Sequence, residues 1–313
     1  MAETIPGKVA VEQWLTGLSG FEHARVLGVY PLDGGASNIT CRVTIAEAAR
    51  TDVVVRVQRD HGIFEPYDVV REGEVLRRLR LSRVPVPELL GSERDAAVLG
   101  APFIVMEWID APHMGVAGAE GSYSAFTAAV AEIHAVPWRA LGLGFLGVPA
   151  SIGEGLAREL DAIEKRQRTF VPGGEPLLEG ALKTLRRTIP EGGAFALCQG
   201  DINIFNYLFR KGEVVAVVDW EQARISDRRS DVGQLVALSH LKGAPFCPAA
   251  DAPFVRMYED ASGWLAGDME WFRARWLWEL GVIYHGWRAF NGSEPWYSWD
   301  DLAGLLEASL GEL

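Results

Sequence analysis

The segment from Gln199 to Glu221 constrains this chain more than any other. Two apolar runs, Tyr207-Leu208-Phe209 and Val214-Val215-Ala216-Val217-Val218, flank the turn residues Arg210-Lys211-Gly212-Glu213. Aromatic and β-branched runs on either side of a glycine turn make a β-hairpin, centred here on Gly212 and Glu213. A hairpin brings its two ends together. Asn206 enters this one and Asp219 leaves it, so their side chains become neighbours. A carboxylate beside an amide oxygen is a hard-oxygen pair of the kind that holds Mg2+. Asp201 stands five residues before Asn206, on the loop leading into the pair. It is placed to accept a hydrogen bond from an attacking hydroxyl.

Elsewhere the chain changes character once. Val9 to Gly17 has the pattern of a short amphipathic helix, and Val26 to Tyr30, Cys41 to Ile45 and Asp52 to Gln58 read as strands. Tyr67 to Leu81 has helical period, Val84-Pro85-Val86-Pro87-Glu88 breaks it, and Phe103 to Met106 is a strand of the buried type. From about Ala111 helix dominates: Ser124 to His134, Gly155 to Gln167 and Pro176 to Thr188 precede the hairpin, and Asp227 to Leu241 and Phe254 to Phe290 follow it. A chain of 313 residues has room for two lobes with separate cores. The division expected is 1–107, a sheet with one helix, and 108–313, which carries the hairpin and the helices.

The formal net charge is −12. Such a surface repels the phosphates of nucleic acid and draws cationic small molecules. The three cysteines, Cys41, Cys198 and Cys247, have the spacing of neither a zinc site nor a disulfide framework. No apolar run is long enough to span a bilayer, and the expected setting is cytoplasmic, with no membrane partner.

Gln199-Gly200-Asp201 with Asn206, then Asp219-Trp220-Glu221, then Ser226-Asp227 with Asp231, resemble the catalytic and metal-binding loops of the aminoglycoside phosphotransferase family, relatives of choline kinase and the protein kinases. The likeness is greatest to the branch that includes the kinase-like domain of some acyl-CoA dehydrogenases. It runs from about Leu32 to about Phe290. It implies an α+β, bilobal, protein-kinase-like fold with a small antiparallel β-sheet N-lobe and a larger, mainly helical C-lobe. It implies Asp201 as catalytic base, Asn206 and Asp219 as Mg2+ ligands, ATP or GTP as co-substrate, and Asp231 as a brace beneath the catalytic loop. Asp227 itself reads as a helix cap.

The N-terminal lobe carries looser matches. Gly34 to Thr40 is similar to the family's nucleotide loop, which would set Gly35, Ser37 and Asn38 against phosphate; a plain hairpin turn has the same composition. Arg71 to Leu76 is similar to the helix whose acid pairs with the phosphate-gripping base, and the match selects Glu72 over Glu74. Ala101 to Ile109 is similar to the hinge, where backbone groups of Glu107 and Ile109 would hold a purine and Met106 would line the back of its pocket. His134 also matches, and reads as a structural residue.

Two positions depart from the family. Gln199 stands where a scaffold histidine is usual. Lys8 is the sole lysine before Lys165, so the phosphate-gripping base falls to Arg56, within Val53-Val54-Val55-Arg56-Val57. Arginine stands at this place in the branch named above, and a guanidinium binds phosphate oxygens bidentately. The alternative for Arg56 is a surface base on an edge strand.

The acceptor side is read from the C-terminal stretch. Trp264, Trp271 and Trp278 recur every seven residues and would share a helix face, while Phe290 to Asp301 forms a loop of aromatics and acids. Exposed aromatics beside carboxylates suit a small hydroxylated acceptor with a positive charge or a flat apolar face. An antibiotic, a choline-like amine and a hydroxyacyl-CoA are all open as acceptors. A nucleotide-binding pseudokinase is the rival from another class.

Overall fold

The computed structural model describes residues 5–32, 37–114, 122–243 and 253–313. The chain forms two compact units, Met1–Asp110 and Ala111–Leu313.

The first unit is built on a five-stranded antiparallel sheet of β1 (Arg25–Pro31), β2 (Ile39–Ala46), β3 (Asp52–Val57), β4 (Leu89–Glu93) and β5 (Phe103–Glu107), in the order β1-β2-β3-β5-β4. Valine-rich β3 is therefore central, with Val53, Val55 and Val57 in one core with Val43, Phe103 and Val105. Helix α1 (Lys8–Leu15) adds Val11 and Leu15 to that core, and Trp14 packs edge-on against Phe103 at 4.9 Å. Arg56 lies opposite Thr40 on β2 and Ile104 on β5. Being alternate to the core-facing valines, it points to the other face of the sheet.

That face receives α2 (Val69–Leu79), which starts where the Asp68 side chain accepts the Arg71 N–H at 2.8 Å. Gly73 lets α2 lie close. A Cβ at that position would come within 3.0 Å of the Ile104 side chain. Strand β4 and the short α3 (Ala96–Leu99) have no counterpart in the sequence expectation. β4 is an edge strand with Gly91 and Ser92 in place of an alternating pattern, and its pairing shifts register between Leu89 and Gly91. Gly91 sits under Trp14, whose ring would come within 2.6 Å of a Cβ there, so tertiary packing selects this strand.

The second unit contains α4 (Ser122–His134), α5 (Ile152–Phe170), α6 (Pro176–Arg187), α7 (Arg229–His240), α8 (Phe254–Ser262), α9 (Met269–Asn291) and α10 (Trp299–Gly311). Among them lie two small antiparallel ladders. β6 (Phe195–Cys198) pairs with β9 (Arg224–Asp227), and β7 (Tyr207–Arg210) pairs with β8 (Glu213–Val217). The hairpin turn is Lys211-Gly212, one residue earlier than its expected centre, with both residues left-handed at φ 55° and 83°. A buried charge network ties α5 and α9 to β9. Glu159 takes Arg224 at 3.2 Å and Arg275 at 3.1 Å, and Glu279 takes Arg275 at 2.8 Å and Arg166 at 2.5 Å.

The helix expected over 254–290 is two helices. Gly263 ends α8 in the left-handed conformation (φ 68°), and α9 starts only after Asp268. Trp264 lies in this break and shares no helix with Trp271 and Trp278. The expected aromatic loop is also shorter. α9 continues to Asn291, and Ser298 caps α10, so Asp300 and Asp301 occupy a first helical turn, where carboxylates are favoured. Among the described residues no helix is long and apolar enough to cross a membrane.

Candidate active site

In the second unit the catalytic-type loop leaves β6 at Cys198 and turns at Gly200 (φ 88°), where a Cβ would meet the Gln222 carbonyl oxygen at 2.4 Å. Asp231, fully buried in the first turn of α7, accepts the backbone N–H groups of Gln199 (2.8 Å) and Gly200 (3.1 Å). It also faces His134 Nε2 at 3.2 Å, and His134 Nδ1 meets the Tyr258 hydroxyl at 2.6 Å. Both ring nitrogens of this buried histidine are thus partnered within the protein. His134, Cys198 and Asp231 lie close enough together to suggest a cation site. The donor set does not fit one: Asp231 is committed to two N–H groups, and burial pushes the Cys198 thiol well up, so it stays protonated and donates to the Asp227 carbonyl at 3.4 Å. Asp227 itself accepts the Arg229 N–H at 2.9 Å and pairs with the Arg229 guanidinium at 2.7 Å.

Gln199, in place of histidine, uses its amide nitrogen twice. It donates to the carbonyls of Val218 at 2.9 Å and Asp219 at 3.0 Å. Asp219 has a left-handed backbone (φ 60°), a conformation that a non-glycine residue keeps only when its surroundings hold it. Val218 N–H in turn donates to the Asn206 carbonyl at 2.9 Å, which closes the hairpin mouth and sets the two residues together.

Asp201, half-buried, is held by three side-chain amides. Gln234 donates to Oδ1 at 3.0 Å, and Asn203 and Asn206 both donate to Oδ2 at 3.0 Å. Burial first, and the Asp219 carboxylate second, push its pKa above the ordinary carboxylate value, while the three amides pull it back. The Asn206 nitrogen also donates to the Asp201 carbonyl at 2.8 Å. With the nitrogen so committed, the amide oxygen is the end that a cation would meet. The Asp219 carboxylate and that amide oxygen are hard-oxygen donors of the kind that fits Mg2+.

In the first unit Arg56 Nε lies 3.2 Å from Glu72 Oε2, and both side chains are buried, at 7% and 1% exposure. Glu74 faces elsewhere and pairs with Arg77 and Arg78 at 2.7 and 2.5 Å. Ser37 and Asn38 are buried, and Asn38 Oδ1 accepts the Arg59 N–H at 3.3 Å. Gly35 lies outside the described residues. Met106 is buried on β5. The Glu107 N–H donates to the Glu88 carbonyl at 2.9 Å, so it is not a donor for a base, and its carboxylate pairs with Arg50 at 3.1 Å. Ile109 follows β5, half-buried.

Sequence reasoning missed Asn203 and Gln234. The signal for Gln234 was its place one helical turn after Asp231, which puts both on the same face of α7. In the C-terminal stretch a cavity of about 590 Å³ is lined by Lys242, Trp296, Tyr297, Asp300, Asp301 and Leu305. Asp301 accepts the Lys242 N–H at 2.9 Å there.

Mouse acyl-CoA dehydrogenase family member 10 is 27% identical over 235 residues, which cover 71% of this chain and 21% of that protein, so the chain spans about a fifth of that relative's length. A solved protein of Ralstonia eutropha JMP134, described as an aminoglycoside phosphotransferase, superposes with a TM-score of 0.76 at 20% identity, covering 98% of this chain and 99% of that one. A thermostable mutant of another aminoglycoside phosphotransferase, in ternary complex with ADP and hygromycin B, superposes with a TM-score of 0.64 at 15% identity, over 96% and 98% of the two chains. These structural likenesses establish a kinase-like α+β fold. The model of the phosphotransferase enzyme family matches residues 28–277, most of the sequence, and the chain belongs to that family.

Proposed function

We propose that this chain is a Mg2+-dependent small-molecule kinase that moves the γ-phosphoryl group of ATP or GTP to an acceptor hydroxyl. The observation that carries the reading is Asp201, held by three neutral amides beside Asn206 and Asp219. Asn206 and Asp219 would hold Mg2+, which when bound neutralises charge on phosphate oxygens. Arg56, kept in place by Glu72, binds phosphate oxygens through its guanidinium fork. Met106, the Glu107 carbonyl and the backbone at Ile109 would receive the purine, the Glu107 N–H being committed to the Glu88 carbonyl. Asp201 orients the acceptor hydroxyl. As the acceptor oxygen bonds to the γ-phosphorus, the bond to the nucleoside diphosphate breaks with its electron pair on the leaving group, and the hydroxyl proton passes to Asp201. Most of the rate comes from positioning and electrostatics.

The acceptor is a small hydroxylated compound, cationic or aromatic. The net charge of −12 supports a cationic acceptor, since such a surface draws cations. A second reading, a hydroxyacyl-CoA, is favoured by the likeness to acyl-CoA dehydrogenase family member 10. The pseudokinase reading drew on Gln199 and Arg56. Gln199 holds the backbone at Val218 and Asp219 by one hydrogen bond to each carbonyl, Arg56 is paired with Glu72, and both arrangements support an active enzyme. The test is ADP release from Mg·ATP across a panel of aminoglycosides, macrolides, amino alcohols and hydroxyacyl-CoA esters. Acceptor-dependent release that Asp201→Asn removes is expected. Nucleotide binding with no transfer to any acceptor or to water would favour the pseudokinase.

A further inference from the structure

α7 touches the catalytic loop at two points one helical turn apart. Asp231 holds the start of the loop through the N–H groups of Gln199 and Gly200. Gln234 holds its middle. Its Oε1 accepts the Ile202 N–H at 2.7 Å, and its Nε2 donates to Asp201 Oδ1 at 3.0 Å. The first contact fixes the direction of the second, since the Ile202 N–H can only donate and so turns the amide nitrogen towards Asp201. The backbone under Gln234 has little freedom: a Cβ at neighbouring Gly233 would come within 2.6 Å of the Phe272 side chain, so α7 is pressed against α9 there. Gln234 is itself buried, at 6% exposure.

A carboxylate offers about four acceptor positions, two on each oxygen. Asp201 Oδ2 receives both Asn203 and Asn206, whereas Oδ1 receives Gln234 alone among the described residues. The acceptor position that remains is on Oδ1. We infer that Gln234 is a positioning residue for the transfer proposed above, holding Asp201 so that Oδ1, and not Oδ2, faces the acceptor hydroxyl. In the reaction the hydroxyl proton goes to Oδ1 while the acceptor oxygen takes the phosphoryl group and the nucleoside diphosphate leaves with the electron pair. The amide stays neutral, so it fixes direction without taking up the proton or adding a second charge. The inference rests on Asp201 being the base, and its test separates the two.

Gln234→Met removes both hydrogen bonds at nearly the same volume. Gln234→Ser leaves room for a water on the Ile202 N–H and is the variant to use if the methionine protein does not fold. Turnover is read as ADP release from Mg·ATP, with water as acceptor and with whichever hydroxyl compound raises it most; Mg·ATP affinity is read by calorimetry. The expected result is a turnover lower by about ten- to a hundred-fold, the scale of a misplaced reacting group, with affinity held within about two-fold. In an Asp201→Asn background the same change should cost nothing further, because the residue it positions is already disabled. A folded Gln234 variant with wild-type turnover, beside an inactive Asp201→Asn, overturns the inference and spares the base assignment. So does a loss that multiplies with that of Asp201→Asn, which would mark a separate structural role. Wild-type turnover in Asp201→Asn itself would overturn the base assignment and this inference with it.

Discussion

Arg56 and Asp201 are the charges on which the proposed chemistry turns, and the protein holds them in opposite ways. Arg56 sits on a central strand and is paired with a buried opposite charge, Glu72 at 3.2 Å. Asp201 sits on a loop, and its side-chain contacts are three neutral amides. The difference follows from what each group has to do. A phosphate-binding guanidinium needs only to be present and charged, and a buried carboxylate fixes it strongly. A base must keep an acceptor position and its basicity. A cationic partner would occupy the first and lower the second, whereas amides direct the carboxylate at smaller cost to either. The first arrangement relies on an opposite charge and the second on several neutral donors.

The comparison can be broken or sharpened by substitution. The largest effect is expected at the hairpin mouth. Asp219→Ala should abolish Mg2+-dependent nucleotide binding, and an unchanged Mg·ATP affinity in calorimetry would remove Asp219 from the metal site. Next is Asp201→Asn, which keeps the size of the side chain but not its basicity. It should lower turnover by roughly 10²–10⁴-fold, the range for a lost general base, while Mg·ATP still binds. Turnover within a few-fold of wild type would show that the amide cage serves some other end. In the first unit, Arg56→Met and Glu72→Gln each break a buried pair and should each destabilise by about 3–5 kcal/mol in denaturant unfolding. The double variant should lose less than the sum, because no uncompensated charge is left behind; simple addition would mean that the two residues act independently. Both single variants should also weaken Mg·ATP binding. The smallest effect is the control. Glu74→Gln, half-buried on the same helix and paired with Arg77 and Arg78, should leave Mg·ATP affinity within about two-fold of wild type, and a weakening like that of Glu72→Gln would mean that the wrong acid has been assigned to Arg56.

How much could be read from residues alone varied with the span of the interaction. The hairpin was legible because its causes are local: two apolar runs, a glycine turn, and polar residues at both mouths. Only the centre of the turn moved, to Lys211-Gly212, where two left-handed residues match the twist of the strands. Helix α2 was legible from its period, and the choice of Glu72 over Glu74 came through resemblance. The structure agrees with that choice, since Glu72 faces Arg56 and Glu74 does not. The tryptophan repeat misled. A seven-residue spacing marks a helix face only where the helix continues, and Gly263 ends it before Trp264.

By itself, the amino-acid sequence determined the chemistry available to this protein: the acids and amides around one hairpin, an arginine where no lysine stands, and the order of strands before helices. The tertiary structure decided which of those groups meet. β4 became a strand by pairing with β5, and β6 found β9 across the catalytic loop and the hairpin. Gln199 reached Asp219 across the hairpin, and Gln234 reached Asp201 across 33 residues. Such contacts have no local signature, because a side chain two strands or a helix away is brought near by the packing of the elements between, and that packing is a property of the whole core.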